Sequence, residues 1–170
     1  MKQHIIVLMD NSYSMLTRAR SIVDGVNKFV NNLRHHQDSD NLLFSLILFS
    51  HEFTYMCKGL FVQEVPIFTI KDLPSFGRTH LYDAIAKVLN EWIAEKRANH
   101  NLFIISDGID NGSKLLGKEE ANQACETAIE LHGWKITYCD IELDSLCSDK
   151  IQKIVYSADN LENLLENLHI

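Results

Sequence analysis

The chain of 170 residues holds no apolar stretch approaching the ~20 residues that a membrane-spanning helix needs. It opens without the charged-then-apolar pattern of a secretory leader, so the expected compartment is the cytoplasm and no membrane partner is expected. Basic residues are in the minority: 16 Lys and Arg against 23 Asp and Glu give a formal charge of −7, with no Lys/Arg cluster. That excludes a sequence-independent nucleic-acid binder, which needs a basic face. Cysteine is sparse and unpatterned. Cys57, Cys125, Cys139 and Cys147 show no Cys-x-x-Cys spacing and no matching histidines, so they read as free thiols in a reducing compartment. Internal repeats and low-complexity segments are also lacking. So are a Gly-rich phosphate cradle, a phosphatase Asp-x-Asp and a Gly-x-Ser-x-Gly nucleophile elbow.

What is present is strand-helix alternation over residues 1–170, a length that suits one domain. Residues 4–9 form a continuous apolar run, expected of a strand buried on both faces. Ile22, Val23, Val26, Phe29, Val30 and Leu33 fall at helical spacing. Residues 42–49 predict a second buried strand, and 51–57 an antiparallel edge strand. Both prolines, Pro66 and Pro74, lie in an expected loop over 61–76. Leu81, Ala84, Ile85, Val88, Leu89, Trp92 and Ile93 mark a helix. Residues 101–106 predict a central strand, 118–132 a helix stopped by Gly133, and 134–141 a strand. A short helix is expected over 146–153, a last strand over 154–156, and a closing helix through Leu161, Leu164, Leu165 and Leu168, capped by Ser157 or Asp159. The pattern predicts a doubly wound, Rossmann-like α/β fold: a mostly parallel sheet with one antiparallel edge strand and helices on both faces. Ligands in such folds bind beyond the carboxyl ends of the strands, where the strand order reverses.

Chemistry-bearing residues fall at those ends. Asp10, Ser12 and Ser14 stand in Asp10-Asn11-Ser12-Tyr13-Ser14, directly after the first strand. One carboxylate and two hydroxyls in a tight turn make half of an all-oxygen cage for a hard divalent cation, magnesium first, with manganese and calcium satisfied by the same donors. Thr79 and Asp107, the latter closing the central strand, are the candidates for the other half. Each piece also has a plainer reading. Asp10 with Ser12, and Thr79, suit helix caps, and Asp107-Gly108 suits a strand-ending turn. Three such coincidences in order favour the metal.

Asp-x-Ser-x-Ser, then Thr79 ahead of Leu81-Tyr82-Asp83-Ala84-Ile85, then Ser106-Asp107-Gly108-Ile109-Asp110-Asn111, resembles the von Willebrand factor type A domain along most of the chain. The resemblance implies a metal-ion-dependent adhesion site with Ser12, Ser14 and Thr79 as direct ligands and Asp10 and Asp107 acting through water. It further implies that an Asp or Glu of a protein partner completes the coordination. Where the family often has glycine, this chain has Tyr13 and Arg78. Tyr13 either touches the partner or packs over the loop. Arg78 either holds an incoming carboxylate or is a solvated loop residue. Asp83 buttresses the site or merely favours the first turn of its helix; Asp110 and Asn111 read as turn residues and His80 as incidental. A metal-dependent protein-binding module is the expected function, not an enzyme. The alternatives are a magnesium-dependent phosphoryl-transfer or hydrolytic enzyme using Asp10 and Asp107, and a surface for self-association.

Overall fold

Residues 5–9 have no exposed surface at all, so the strand they form needs cover on both faces and neighbours on both edges. In the computed structural model, which describes residues 2–74, 76–95, 98–107, 110–140, 146, 148–156 and 163–164, that strand is β1 (Lys2–Asp10). It sits inside a six-stranded sheet with β2 (Leu42–Phe49), β3 (Phe53–Phe61), β4 (Ala98–Ile105), β5 (Lys135–Asp140) and β6 (Gln152–Val155). The order is β3-β2-β1-β4-β5-β6. Every pairing is parallel except the edge pair β2–β3, whose register shifts around Leu46. This is the doubly wound α/β sheet expected.

The side-chain period of two splits β1 between two cores. Ile5, Val7 and Met9 pack with Ile22, Val26, Phe29 and Val30 of α1 (Ala19–Arg34). Ile6 and Leu8 pack with Ile85, Val88 and Leu89 of α2 (Leu81–Trp92) and with Cys125 and Ala128 of α3 (Lys118–His132). Each such aliphatic side chain contributes roughly 1.5–3 kcal/mol by leaving water, which makes β1 the least movable element. Gly133 ends α3 in the left-handed region at φ 68°, where its N–H donates to Ile129 O at 3.1 Å. Cys57, Cys125 and Cys139 are free and buried; Cys147 lies outside the described residues. None of the helices among the described residues is long and apolar enough to cross a membrane.

One expected element is absent among the described residues, and another lies largely outside them. A 3₁₀ turn over Tyr13–Arg18 separates β1 from α1, so the helix starts only at Ala19. Among the described residues of 146–153 there is no helix: Ser148 Oγ accepts the Lys150 N–H, and β6 begins at Gln152. Leu146 and Ile151 both plug the core on the α2 side. The expected closing helix and its caps fall outside the described residues, save Asn163 and Leu164, the latter packed against the α1-side core.

The register carries β1 and β4 out of the sheet together. Met9 stands opposite Ile105, so Asp10 and Ser106 emerge side by side where the strand order reverses.

Candidate metal centre

Asp10 is buried to zero exposure, and both its oxygens are occupied. Oδ1 accepts the Ser12 N–H at 2.7 Å, and Oδ2 accepts the Ser106 hydroxyl at 2.7 Å. Ser106 is held in turn by the Tyr156 phenol, which donates to its carbonyl oxygen at 2.9 Å. Burial and the carboxylates of Asp107, Asp140 and Asp10 push the Tyr156 phenol upward, so it remains a neutral donor. Burial also raises Asp10 to about 6, against the pull of the Ser106 and Ser12 hydrogen bonds, with Asp107 adding to the rise. The carboxylate is thus held close to neutralisation and gains by any positive charge placed beside it.

The turn after Asp10 carries the two serines. Ser12 precedes the 3₁₀ turn but makes no side-chain capping bond to it, so the capping reading does not apply. Its Oγ instead lies 2.9 Å from Ser14 Oγ, and Ser14 Oγ donates to Asp107 Oδ1 at 2.6 Å. Ser14 has one hydrogen and Asp107 takes it, so Ser12 is the donor between the serines. Arg18 closes the chain: its Nη1 donates to Asp107 Oδ2 and, at 3.1 Å, to Ser14 O. Ser12 is itself buried, although a rim position was expected for both serines.

Thr79 reaches this end of the sheet by backbone pairing. Ser12 bridges Gly77 in parallel, and Tyr13 N–H donates to Gly77 O at 2.8 Å. A Cβ at Gly77 would meet the ring of exposed His51, which would have to turn aside. Thr79 is buried, with its N–H on Asn111 Oδ1 at 3.1 Å and its carbonyl accepting Asn111 N–H at 3.0 Å. His80, not Thr79, is the N-cap of α2, and it makes no side-chain capping bond.

Direct hydrogen bonds therefore connect Asp10, Ser12, Ser14 and Asp107, while Thr79 is tied in through Gly77. Tyr13 is 68% exposed and projects from the turn, and Leu16 beside it is 54% exposed. Arg78 is exposed, and the guanidinium that reaches the carboxylates is that of Arg18. Asp83 accepts the N–H groups of Lys114, Leu115 and Leu116 at 2.8, 2.8 and 3.2 Å, so it holds the loop ahead of α3. Asp110 and Asn111 do more than turn the chain: Asn111 clamps Thr79, and Asp110 accepts from Tyr82 N–H and Ser113. Reasoning from sequence missed Ser106, Tyr156, Asn111 and Arg18. Arg18 had one available signal, its i+4 spacing from Ser14, and Ser106 and Asn111 stand in the motif after β4; Tyr156 is joined by a long-range contact with no local pattern.

Among the described residues no group of three or more His, Cys, Asp or Glu gathers as metal ligands do. A cation here would depend on hydroxyls with two carboxylates, the donor set of a hard ion.

Comparison with known proteins agrees with the fold. The chain is similar to a von Willebrand factor type A structure from Catenulispora acidiphila, with TM-score 0.70 at 13% identity, over 97% of this chain and 41% of that one. It is also similar to the ArnB paralog VWA2 from Sulfolobus acidocaldarius, with TM-score 0.66 at 18% identity, over 96% of this chain and 44% of that one. A third structure is proximal thread matrix protein 1 from the mussel byssus with a zinc-occupied MIDAS motif, with TM-score 0.66 at 14% identity, over 97% of this chain and 45% of that one. The chain thus spans less than half the length of each. No curated protein matches it by sequence. The family model described as von Willebrand factor type A domain matches residues 4–169, and the chain belongs to that family.

Proposed function

We propose that this chain is a metal-dependent protein-binding module, with a divalent cation at Asp10, Ser12, Ser14, Thr79 and Asp107 completed by a carboxylate of a protein partner. The observation that carries the reading is the spacing of the serine oxygens. Ser12 Oγ and Ser14 Oγ are 2.9 Å apart, and adjacent oxygens in an octahedron with bonds of about 2.1 Å stand about 3.0 Å apart. A magnesium-sized ion would take both oxygens as adjacent ligands at that spacing, with the Ser12 hydroxyl hydrogen turned away from Ser14. Calcium, with bonds of about 2.4 Å in a pentagonal bipyramid, holds equatorial neighbours about 2.8 Å apart, so the same spacing admits it.

When bound, the ion supplies an electrophilic position for one more anionic oxygen. The chain supplies the rest. Asp10, near neutralisation while buried, gains most from the added charge, and Ser106 and Tyr156 keep its orientation. Exposed Tyr13 and Leu16 on the same turn offer a partner an apolar contact beside the ion. The zinc-occupied motif belongs to the mussel protein; it supports a divalent ion in this fold without naming the ion here.

Thermal melting with magnesium and with EDTA tests the reading. An ion at ~100 times its dissociation constant should add about 2.7 kcal/mol. The double variant Ser12→Ala with Ser14→Ala should lose that response and keep its fold. A wild-type melt indifferent to magnesium and manganese at millimolar concentration, with acetate present as well as absent, would sink the proposal, and global unfolding of the double variant in EDTA would make the serines structural.

A further inference from the structure

Arg18 is the chain's own cation at the cluster, and its position runs against the helix it opens. It is the N-cap residue of α1 and makes no side-chain capping bond there. A positive charge at that end opposes the helix dipole. The guanidinium turns back onto the preceding turn instead. Nη1 donates to Ser14 O and to Asp107 Oδ2, and it lies 3.8 Å from Met15 Sδ. The ion pair is sheltered, with side-chain exposures of 22% for Arg18 and 2% for Asp107, so solvent and salt screen it weakly. Asp107 is thereby engaged on both oxygens, by Ser14 on one and Arg18 on the other.

A divalent cation beside Ser14 would share Asp107 with a guanidinium of like sign. We propose that Arg18 is a resident counter-cation: it competes with the metal for Asp107 and releases it when an incoming carboxylate gives the guanidinium a new partner. The proposal rests on the metal-centre reading above and adds its regulation. Cation binding alone is weak, cation binding together with a carboxylate is strong, and each raises the affinity of the other by the same factor. Arg suits this part because its planar fork exchanges one carboxylate for another and stays charged at every working pH.

The test is calorimetric titration of Mn²⁺ into wild type, Arg18→Gln and Asp10→Ala, each with and without acetate as the carboxylate probe. Without acetate, Arg18→Gln should bind Mn²⁺ about tenfold more tightly than wild type, within the usual range of coupling between sites. Acetate should then tighten Mn²⁺ binding more in wild type than in the variant. Equal or weaker binding by Arg18→Gln overturns the competition, and equal enhancement by acetate overturns the hand-over. Should Arg18→Gln not fold, Arg18→Met removes the charge while keeping a stem against Met15, and the same outcomes apply. Wild-type binding that Asp10→Ala abolishes establishes the centre independently of Arg18. Absence of Mn²⁺ binding in wild type and in the uncharged variant sinks the centre and the competition together.

Discussion

Strand β1 carries a buried polar residue near each end, His4 where it starts and Asp10 where it stops, and the two are satisfied in opposite ways. His4 shares a 2.8 Å hydrogen bond with Ser45 Oγ, which also accepts the Gly59 N–H at 2.8 Å. Its ring meets Trp92 edge-on at 5.1 Å and His100 at 5.3 Å. Burial, helped by His100, drives it down to about 3. A buried base escapes the cost of charge by shedding its proton, and the site is then closed. Asp10 is different. Two donors, the Ser12 N–H and the Ser106 hydroxyl, favour its charged form while burial opposes it. On the proposed reading, a cation from outside would relieve that conflict. One strand thus shows how to tell a structural polar residue from one prepared for a ligand: by whether the chain alone completes it.

Asp10→Asn should break this contrast most strongly. A buried carboxylate raised from 3.8 to about 6 costs about 3 kcal/mol at pH 7 relative to a neutral residue of the same shape. One weakened hydrogen bond returns about 1 kcal/mol of that. In EDTA the variant should therefore be more stable than wild type by about 2 kcal/mol in urea denaturation, and it should lose the magnesium response. A variant less stable than wild type in EDTA would mean the carboxylate is already satisfied within the chain, as His4 is.

The opposite end predicts an acid-labile fold. His4 is lowered in the folded chain, so between about 6.5 and about 3 the unfolded chain binds more protons, and stability present above pH 6.5 is lost as pH falls. By pH 5 the loss from this one group should be about 2 kcal/mol. His100, lowered by its own burial, acts with the same sign. Asp10 takes up a proton in the folded state over the same window and works against it, so the slope is best read in Asp10→Asn. Adding His4→Gln to that background should flatten the dependence between pH 7.5 and 5. An unchanged slope would place the acid lability elsewhere.

The parts legible in sequence were those set by hydrophobic period. The apolar run of β1, the helical spacing in α1 and α2, and Gly133 as a stop all follow from local burial and backbone rules. So does the arrival of Asp10 and Asp107 at neighbouring strand ends. The parts missed depend on what packs against what. Leu146 and Ile151 fall in an expected helix, yet each fills a core position from an irregular segment. The 3₁₀ turn at Tyr13–Arg18 holds Arg18 outside the helix, and helical period gave no sign of that break. Asn111 stands in the motif after β4, yet its partner Thr79 lies far off along the chain; Tyr156 also reaches across a long stretch, and nothing in its immediate neighbours marks it.

Asp83 sharpens the comparison at its smallest scale, because it is a carboxylate at the carboxyl end of the sheet that behaves as His4 does. Burial works against its charge, but the backbone amides of Lys114, Leu115 and Leu116 outweigh it and lower the group below the usual range. Its contribution is thus present above the unfolded value and lost as pH falls through the folded one. The chain completes it, so no cation is needed. Asp83→Ala should cost about 1 kcal/mol, the net value of loop hydrogen bonds in partial contact with water. The cost should be the same in magnesium and in EDTA, read from paired urea curves. A larger loss in magnesium would place Asp83 among the groups that position the ion, and proximity to the strand ends would then matter more than internal satisfaction.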